Sequence, residues 1–243
     1  MIDLHCHALP GIDDGPPTMA DALALLRAAL AAGTTTVVAT PHVSPRFPTT
    51  ADSIAAGVEA LRAVAPPGIQ LLAGAEVAHE PALELPDTEL RRLTLGDSRT
   101  LLLESPLSPA VGPVFERCVD ELQGRGYRVL LAHPERAPLF LSQPQRLRAL
   151  VERGALCSLT ASALSGRFGQ GPKWFALELL RDGLAHSVDS DAHDVHGRPP
   201  GLRAGLQAAA DMLPGIPAMW LARDVGAALL ADAPIPAQPA TDS

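Results

Sequence analysis

The chain is 243 residues long, 47% hydrophobic and 19% charged, proportions that exclude a disordered or fibrous protein and suit one large α/β domain. Its net charge of −8, with no basic cluster to offset it, argues against a nucleic-acid partner. No apolar run reaches membrane-spanning length, and the N-terminus lacks a basic region followed by an apolar segment; membrane insertion is not expected, and the predicted compartment is the cytoplasm.

Met1 to Leu4 reads as a short buried strand, with His5 and His7 at its end and Asp13 and Asp14 after a turn. Side chains two apart on a strand project to one face, so both imidazoles can reach one ion while Cys6 points away. Thr18 is an N-cap for a helix over Met19 to Ala32 that stops at Gly33. Thr35 to Thr40 is a β-branched strand running into Pro41-His42, and a helix over Ala51 to Val64 leads to a third apolar run, Ile69 to Ala75, that ends at Glu76.

The same period continues. Arg99 to Leu103 ends at Glu104 before a helix near Val114 to Gln123, and Tyr127 to Ala132 ends at His133 before a helix near Gln145 to Arg153. Ala155 to Leu159 precedes a glycine-rich loop and a helix near Trp174 to Arg181; Ala185 to Val188 leads into Ser190-Asp191-Ala192-His193 and a helix near Leu202 to Met212. Seven strands alternating with helices predict a parallel sheet whose C-terminal strand ends carry the site. Residues 232–243, rich in Pro, Ala and polar side chains, read as a disordered tail after a single domain over 1–231.

At six of the seven strand ends the first polar residue is His, Glu or Asp. One such residue signals nothing, because an apolar strand must end in something polar. Five histidines (His5, His7, His42, His133, His193) with Glu76, Glu104, Asp191 and one of Asp13 or Asp14 exceed what one ion needs, so two or three ions sharing carboxylates are expected. Mixed nitrogen and oxygen donors suit Zn, Mn, Fe or Co. Clustered ions activate hydroxide and stabilise an in-line displacement at phosphorus, which points to phosphate-ester hydrolysis. Arg136, three past His133, and Arg198, five past His193, are the planar cations such a group needs. A thiol mechanism is excluded: six residues beyond Cys6, Cys118 and Cys157 stand Ile12, Gly124 and Ala163, where an arginine would be required.

HCH in the first strand followed by TPH, GAE, LLLE, AHPER and SDAH resembles the polymerase and histidinol phosphatase (PHP) superfamily of metal-dependent phosphoesterases. More narrowly, MIDLHCHALPGIDDGP, VATPHV and TASALSGRFG resemble the bacterial manganese-dependent protein-tyrosine phosphatases of capsular and exopolysaccharide operons, over nearly the whole chain. The resemblance implies a distorted seven-stranded (β/α)7 barrel, PHP-type, with three divalent metal ions, manganese foremost, at its mouth. His5, His7, Glu76 and Asp191 would hold the first; Glu76, Glu104 and His133 the second; Asp14, His42 and His193 the third. Arg136 and Arg198 match the phosphate-binding arginines. The implied substrate is the phosphotyrosine-bearing tail of a polysaccharide-assembly tyrosine kinase, and homo-oligomers occur among the relatives.

The expected reaction is hydrolysis of phosphotyrosine by direct attack of a metal-bridging hydroxide, with no phospho-enzyme. A phenolate leaves readily because its conjugate acid has a pKa near 10, so a dedicated acid matters little. The competing readings are the same chemistry on a small metabolite such as histidinol phosphate, and a non-catalytic metal-bound docking module.

Overall fold

A computed structural model describes residues 1–239. β1 (Ile2–Cys6) is followed by α1 (Met19–Ala31), β2 (Thr36–Ala39), β3 (His42–Val43), α2 (Ala51–Arg62), β4 (Gln70–Ala73) and β5 (Glu76–Val77). Two short helices, α3 (His79–Glu84) and α4 (Asp87–Leu90), precede β6 (Thr100–Glu104); then come α5 (Gly112–Gly124), β7 (Arg128–Ala132), α6 (Pro138–Ser142), α7 (Pro144–Glu152) and β8 (Leu156–Thr160). The chain continues through α8 (Ala161–Leu164), α9 (Gln170–Arg181), β9 (Ser187–Asp189), α10 (Leu202–Met212) and α11 (Val225–Leu230). Thr18 caps α1 and Thr50 caps α2, each hydroxyl accepting the backbone N–H three residues on.

All pairings between these strands are parallel, within one sheet ordered β1-β2-β4 and another ordered β3-β5-β6-β7-β8-β9. The described residues therefore hold nine strands where the sequence predicts seven. The excess arises because two short strands follow predicted runs beyond their ends: β3 after Thr35 to Thr40, and β5 after Ile69 to Ala75. Pro41 has no N–H to donate and separates β2 from β3. Gly74 separates β4 from β5 where a Cβ would lie 2.9 Å from both Leu95 and Val38, too close for any other residue. β9 also starts two residues later than expected, at Ser187, and α9 begins four residues earlier, at Gln170.

The first and last strands meet along a seam. Asp191 N–H donates to the His5 carbonyl (2.8 Å) and His7 N–H to that of Ala192 (2.9 Å). Below them Leu4 N–H donates to Asp189 Oδ1 (2.7 Å), a side chain standing in for a strand carbonyl.

The strands are apolar on both faces, as buried parallel strands must be. Leu101 and Leu103 of β6 and Val129 and Leu131 of β7 point to the helices, in the larger core. Their alternates Leu102 and Leu130 point inward with Leu4, Val38 and Leu95, in a second cluster closed by Val225 and Leu229 of α11. Because Thr100, at the start of β6, donates to the Leu229 carbonyl (3.3 Å), α11 plugs the N-terminal ends of the strands. The polar site can then form only at the opposite ends. No helix among the described residues is long and apolar enough to cross a membrane. Of the tail expected over 232–243, residues 233–239 carry no helix or strand, Asp232 accepts Arg99 N–H (2.8 Å), and 240–243 lie outside the described residues.

Candidate metal centre

The C-terminal strand ends bring all nine expected ligand residues into one cluster. His5 Nε2 and His7 Nε2 stand 3.2 Å apart, as their two-residue spacing predicts. Glu76 Oε2 lies 3.3 Å from each of these nitrogens and 3.0 Å from His42 Nδ1, and Asp191 Oδ1 lies 3.4 and 3.5 Å from the same two nitrogens. His133 Nε2 approaches Glu76 Oε1 at 2.7 Å. Asp14 Oδ1 is 3.3 Å from His193 Nε2 and 3.5 Å from His42 Nε2. Four overlapping groups have ligand atoms within 4.8 Å of one another: His7 with Asp14, His42 and His193; His5 with His7 and Glu76; His5 with His133 and Asp191; and His42 with Glu76 and Glu104. The first group contains the Asp14, His42 and His193 set that the family resemblance implies, and the second contains three of the four residues of its first set.

Whether these donors fit a metal can be tested on Glu76. Its side chain is wholly buried, and Oε2 has three imidazole nitrogens around it yet makes no hydrogen bond. Such an acceptor is costly unless something else satisfies it. Donors about 3–3.5 Å apart are spaced as the edges of a coordination shell with bonds of 2.0–2.2 Å, so a cation in their midst would satisfy them all. The described residues can therefore hold divalent ions.

Backbone geometry serves the same end. His133 and Asp191 both adopt left-handed conformations, with φ of 38° and 51°. Positive φ is uncommon outside glycine and concentrates at functional sites. It turns each side chain off its strand and into the cluster.

Asp13 and Asp14, which the sequence alone leaves undivided, have different work. Asp14 reaches the cluster; Asp13 faces the other nitrogen of His7. Its Oδ2 accepts from His7 Nδ1 (2.7 Å) and His42 N–H (3.0 Å), and Oδ1 from Gly15 N–H (2.9 Å). Burial opposes ionisation of Asp13, but the bond from His7 outweighs it and holds the carboxyl down at about 2. A proton kept on Nδ1 leaves Nε2 free to ligate. The turn needs Gly15, where a Cβ would sit 2.6 Å from the His7 carbonyl oxygen.

Sequence reasoning also missed a buried layer beneath the cluster. Asp189 accepts the hydroxyls of Ser158 and Ser187 (both 2.6 Å), and Asp3 accepts Ser190 N–H (2.9 Å). Glu135, buried and pushed up to about 7 by that burial, accepts Thr160 N–H (3.0 Å) through Oε1. Only their position next to the motif residues hinted at these roles. Of the ligand residues, Glu104 is raised to about 7 by burial and the adjacent Glu76 charge, and His193 is lowered to about 3 by burial with His7 and Arg198 nearby.

Arg136 and Arg198 converge on one atom. Both donate to Asp191 Oδ2, and Arg198 Nη1 lies 2.8 Å from His193 Nε2. The Arg136 guanidinium also stacks on Phe168, 4.2 Å from the ring centroid. The remaining histidines stay outside the ligand groups: His79 pairs with Glu80 (3.2 Å), and His186 accepts Cys157 N–H (3.1 Å) as a packing residue would. All three cysteines are buried with raised thiol pKa values, Cys118 to about 12, so none is a thiolate at neutral pH.

Comparison with known proteins agrees with this geometry. YwqE, a tyrosine-protein phosphatase of Bacillus subtilis (strain 168), is 35% identical over 202 residues, 82% of this chain and 79% of its own. The tyrosine-protein phosphatase CpsB of Streptococcus pneumoniae is 30% identical over 211 residues, 82% of this chain and 86% of its own. A crystal structure from work on YwqE and CpsB, described as unique metal-dependent tyrosine phosphatases, superposes with a TM-score of 0.84 at 30% identity, covering 100% of this chain and 99% of that one. A β-aspartyl dipeptidase from Fervidobacterium islandicum shares only the fold, with a TM-score of 0.61 at 13% identity over 95% of this chain and 72% of its own. The family model for capsular polysaccharide synthesis, CpsB/CapC, matches residues 1–213, and with the fold and the clustered His, Asp and Glu side chains in agreement, this chain belongs to the CpsB/CapC family.

Proposed function

We propose that the chain is a metal-dependent phosphoric monoester hydrolase that removes phosphate from protein tyrosine. The observation that carries this is the crowding of imidazole and carboxylate atoms around Glu76 Oε2, which has no hydrogen bond of its own. His5, His7, Asp14, His42, Glu76, Glu104, His133, Asp191 and His193 would hold three divalent ions, manganese foremost, with Fe, Zn or Co as substitutes. When bound, such ions supply Lewis acidity toward a phosphoryl oxygen and lower the pKa of water.

The protein's own groups do the rest. Arg136 and Arg198 each offer a planar guanidinium to the equatorial phosphoryl oxygens, and a dianionic phosphate competes with Asp191 Oδ2 for both. Asp13 keeps His7 in one tautomer. Water supplies the oxygen that bonds to phosphorus, the P–O bond to the ring breaks, and the phenolate takes a proton from solvent. The reading carries with it a single catalytic unit over residues 1–231, the seven chain runs counted as a (β/α)7 barrel, a cytoplasmic site of action, and the tail of a polysaccharide-assembly tyrosine kinase as substrate.

The test is kcat/KM of manganese-loaded protein on a phosphotyrosyl peptide and on histidinol phosphate. Preference for the peptide by a factor of ten or more is expected; preference for the metabolite, or no turnover of either, overturns the reading.

A further inference from the structure

Beside the cluster runs a cleft of about 370 Å³ that begins at Asp14, His42 and Glu104 and opens to solvent between the segments 44–47 and 105–108. Its lining is mixed. At the inner end are ligand residues and Ser105, whose hydroxyl is buried and makes no hydrogen bond. The rest of the lining sets Phe47, Pro45, Pro106 and Leu107 beside the charged Arg46 and Glu80.

Two of these side chains are set as if for a flat apolar guest. Phe47 lies parallel to His42, with 8° between the rings and centroids 5.4 Å apart, and Arg46 covers it 5.0 Å from the centroid. His42 and Arg46 both touch the ring and hold it in place, and Phe47 still lines the cleft. Leu107 is 72% exposed, an aliphatic side chain at the rim with no cover of its own. A phosphoryl group at the cluster would send its ester substituent into this cleft. An alkyl ester leaves the walls wet, whereas a phenyl ring packs against Phe47 and covers Leu107.

We infer that this cleft is the aryl subsite, with Phe47 and Leu107 selecting phenolic over alkyl phosphate esters. The inference rests on the phosphatase reading and adds to it the residues that choose the substrate class.

The test uses manganese-loaded full-length protein and its Phe47→Ala and Leu107→Ser variants, with phenyl phosphate as substrate, inorganic phosphate as competitive inhibitor, and metal content measured alongside. KM for phenyl phosphate is expected to rise roughly tenfold in Phe47→Ala and about threefold in Leu107→Ser, the scale of a lost aromatic contact, while the phosphate inhibition constant moves less than about twofold. Leu107 belongs to no ligand group, so its variant separates the subsite from any effect of Phe47 on His42. Wild-type turnover of phenyl phosphate with unchanged KM in Leu107→Ser, or an equal loss of phosphate and phenyl phosphate affinity in both variants, overturns the aryl subsite alone. Absence of wild-type turnover overturns the phosphatase reading and the subsite with it.

Discussion

Replacing Asp13 by Asn keeps the size of the side chain and reverses the role of one atom. In the native protein Asp13 Oδ2 accepts the Nδ1 proton of His7 at 2.7 Å, deep enough that neither side chain is exposed. Either way round the amide sets a donor against a donor: with its oxygen toward His7 and His42 its NH2 meets Gly15 N–H, and with its NH2 toward them Nδ1 would have to accept and the single proton of the neutral ring would move to Nε2. That nitrogen sits 3.3 Å from Glu76 Oε2 and 3.2 Å from His5 Nε2, so the lone pair offered to a metal would be lost. Losing the carboxylate partner of a ligating histidine lowers metal affinity or activity by 10–100-fold, or about 1.4–2.7 kcal/mol. Manganese competition titrations against a chelator should show that loss in Asp13→Asn, with the far-ultraviolet circular dichroism of the wild type. If the variant binds manganese as tightly as the wild type and turns over an aryl phosphate at the same rate, the orienting role of Asp13 is refuted.

Arg198→Lys keeps the charge but not the fork, and kcat/KM on an aryl phosphate should fall by about a hundredfold with metal content unchanged. Chelation should lower the melting temperature by about 5–10 °C, recovered on adding manganese at 100 times its dissociation constant, which is worth about 2.7 kcal/mol; calorimetry checks both. Gly205→Ala would place a Cβ 2.1 Å from the Ala161 carbonyl oxygen where α10 crosses α8, and chemical denaturation should register a loss of about 2–3 kcal/mol. His186 is pulled down to about 4 by burial, against an ordinary value near 6.5. Because the unfolded chain takes up a proton first, stability should be level above pH 6.5 and fall by up to about 3 kcal/mol as pH drops from 6.5 toward 4. Urea midpoints of chelated protein across that range should show a shallower fall in His186→Gln.

The βα period was legible because it rests on local signals: apolar runs such as Leu101 to Leu103, caps such as Thr18, and stops such as Gly33. The strand breaks were not. Gly74 stands between β4 and β5 where Leu95 and Val38, from other parts of the chain, crowd the space a Cβ would take, a contact no local pattern encodes. The convergence of His5, Glu76, His133 and Asp191 followed from the rule that parallel strands put their C-terminal ends together. The sequence was silent where two neighbours of one type divide the labour. Asp13 and Asp14 differ only in which nitrogen they face, a matter of turn geometry fixed by Gly15. Asp189 and Asp3 were hidden for the same reason, since buried acids that accept backbone N–H groups look in one dimension like any other strand residue.

The seam between β1 and β9 ties the site to the history of the polypeptide. His5 and His7 precede Asp191 and His193 by nearly two hundred residues, yet they meet across a handful of hydrogen bonds that include Asp191 N–H to His5 and Leu4 N–H to Asp189. Contacts so far apart in the chain form late in folding. A chain cut before β9 would keep the His5, His7 and Glu76 group but lose Asp191 and His193 and the seam that holds β1, so the groups that need those two residues form only once both strands have met.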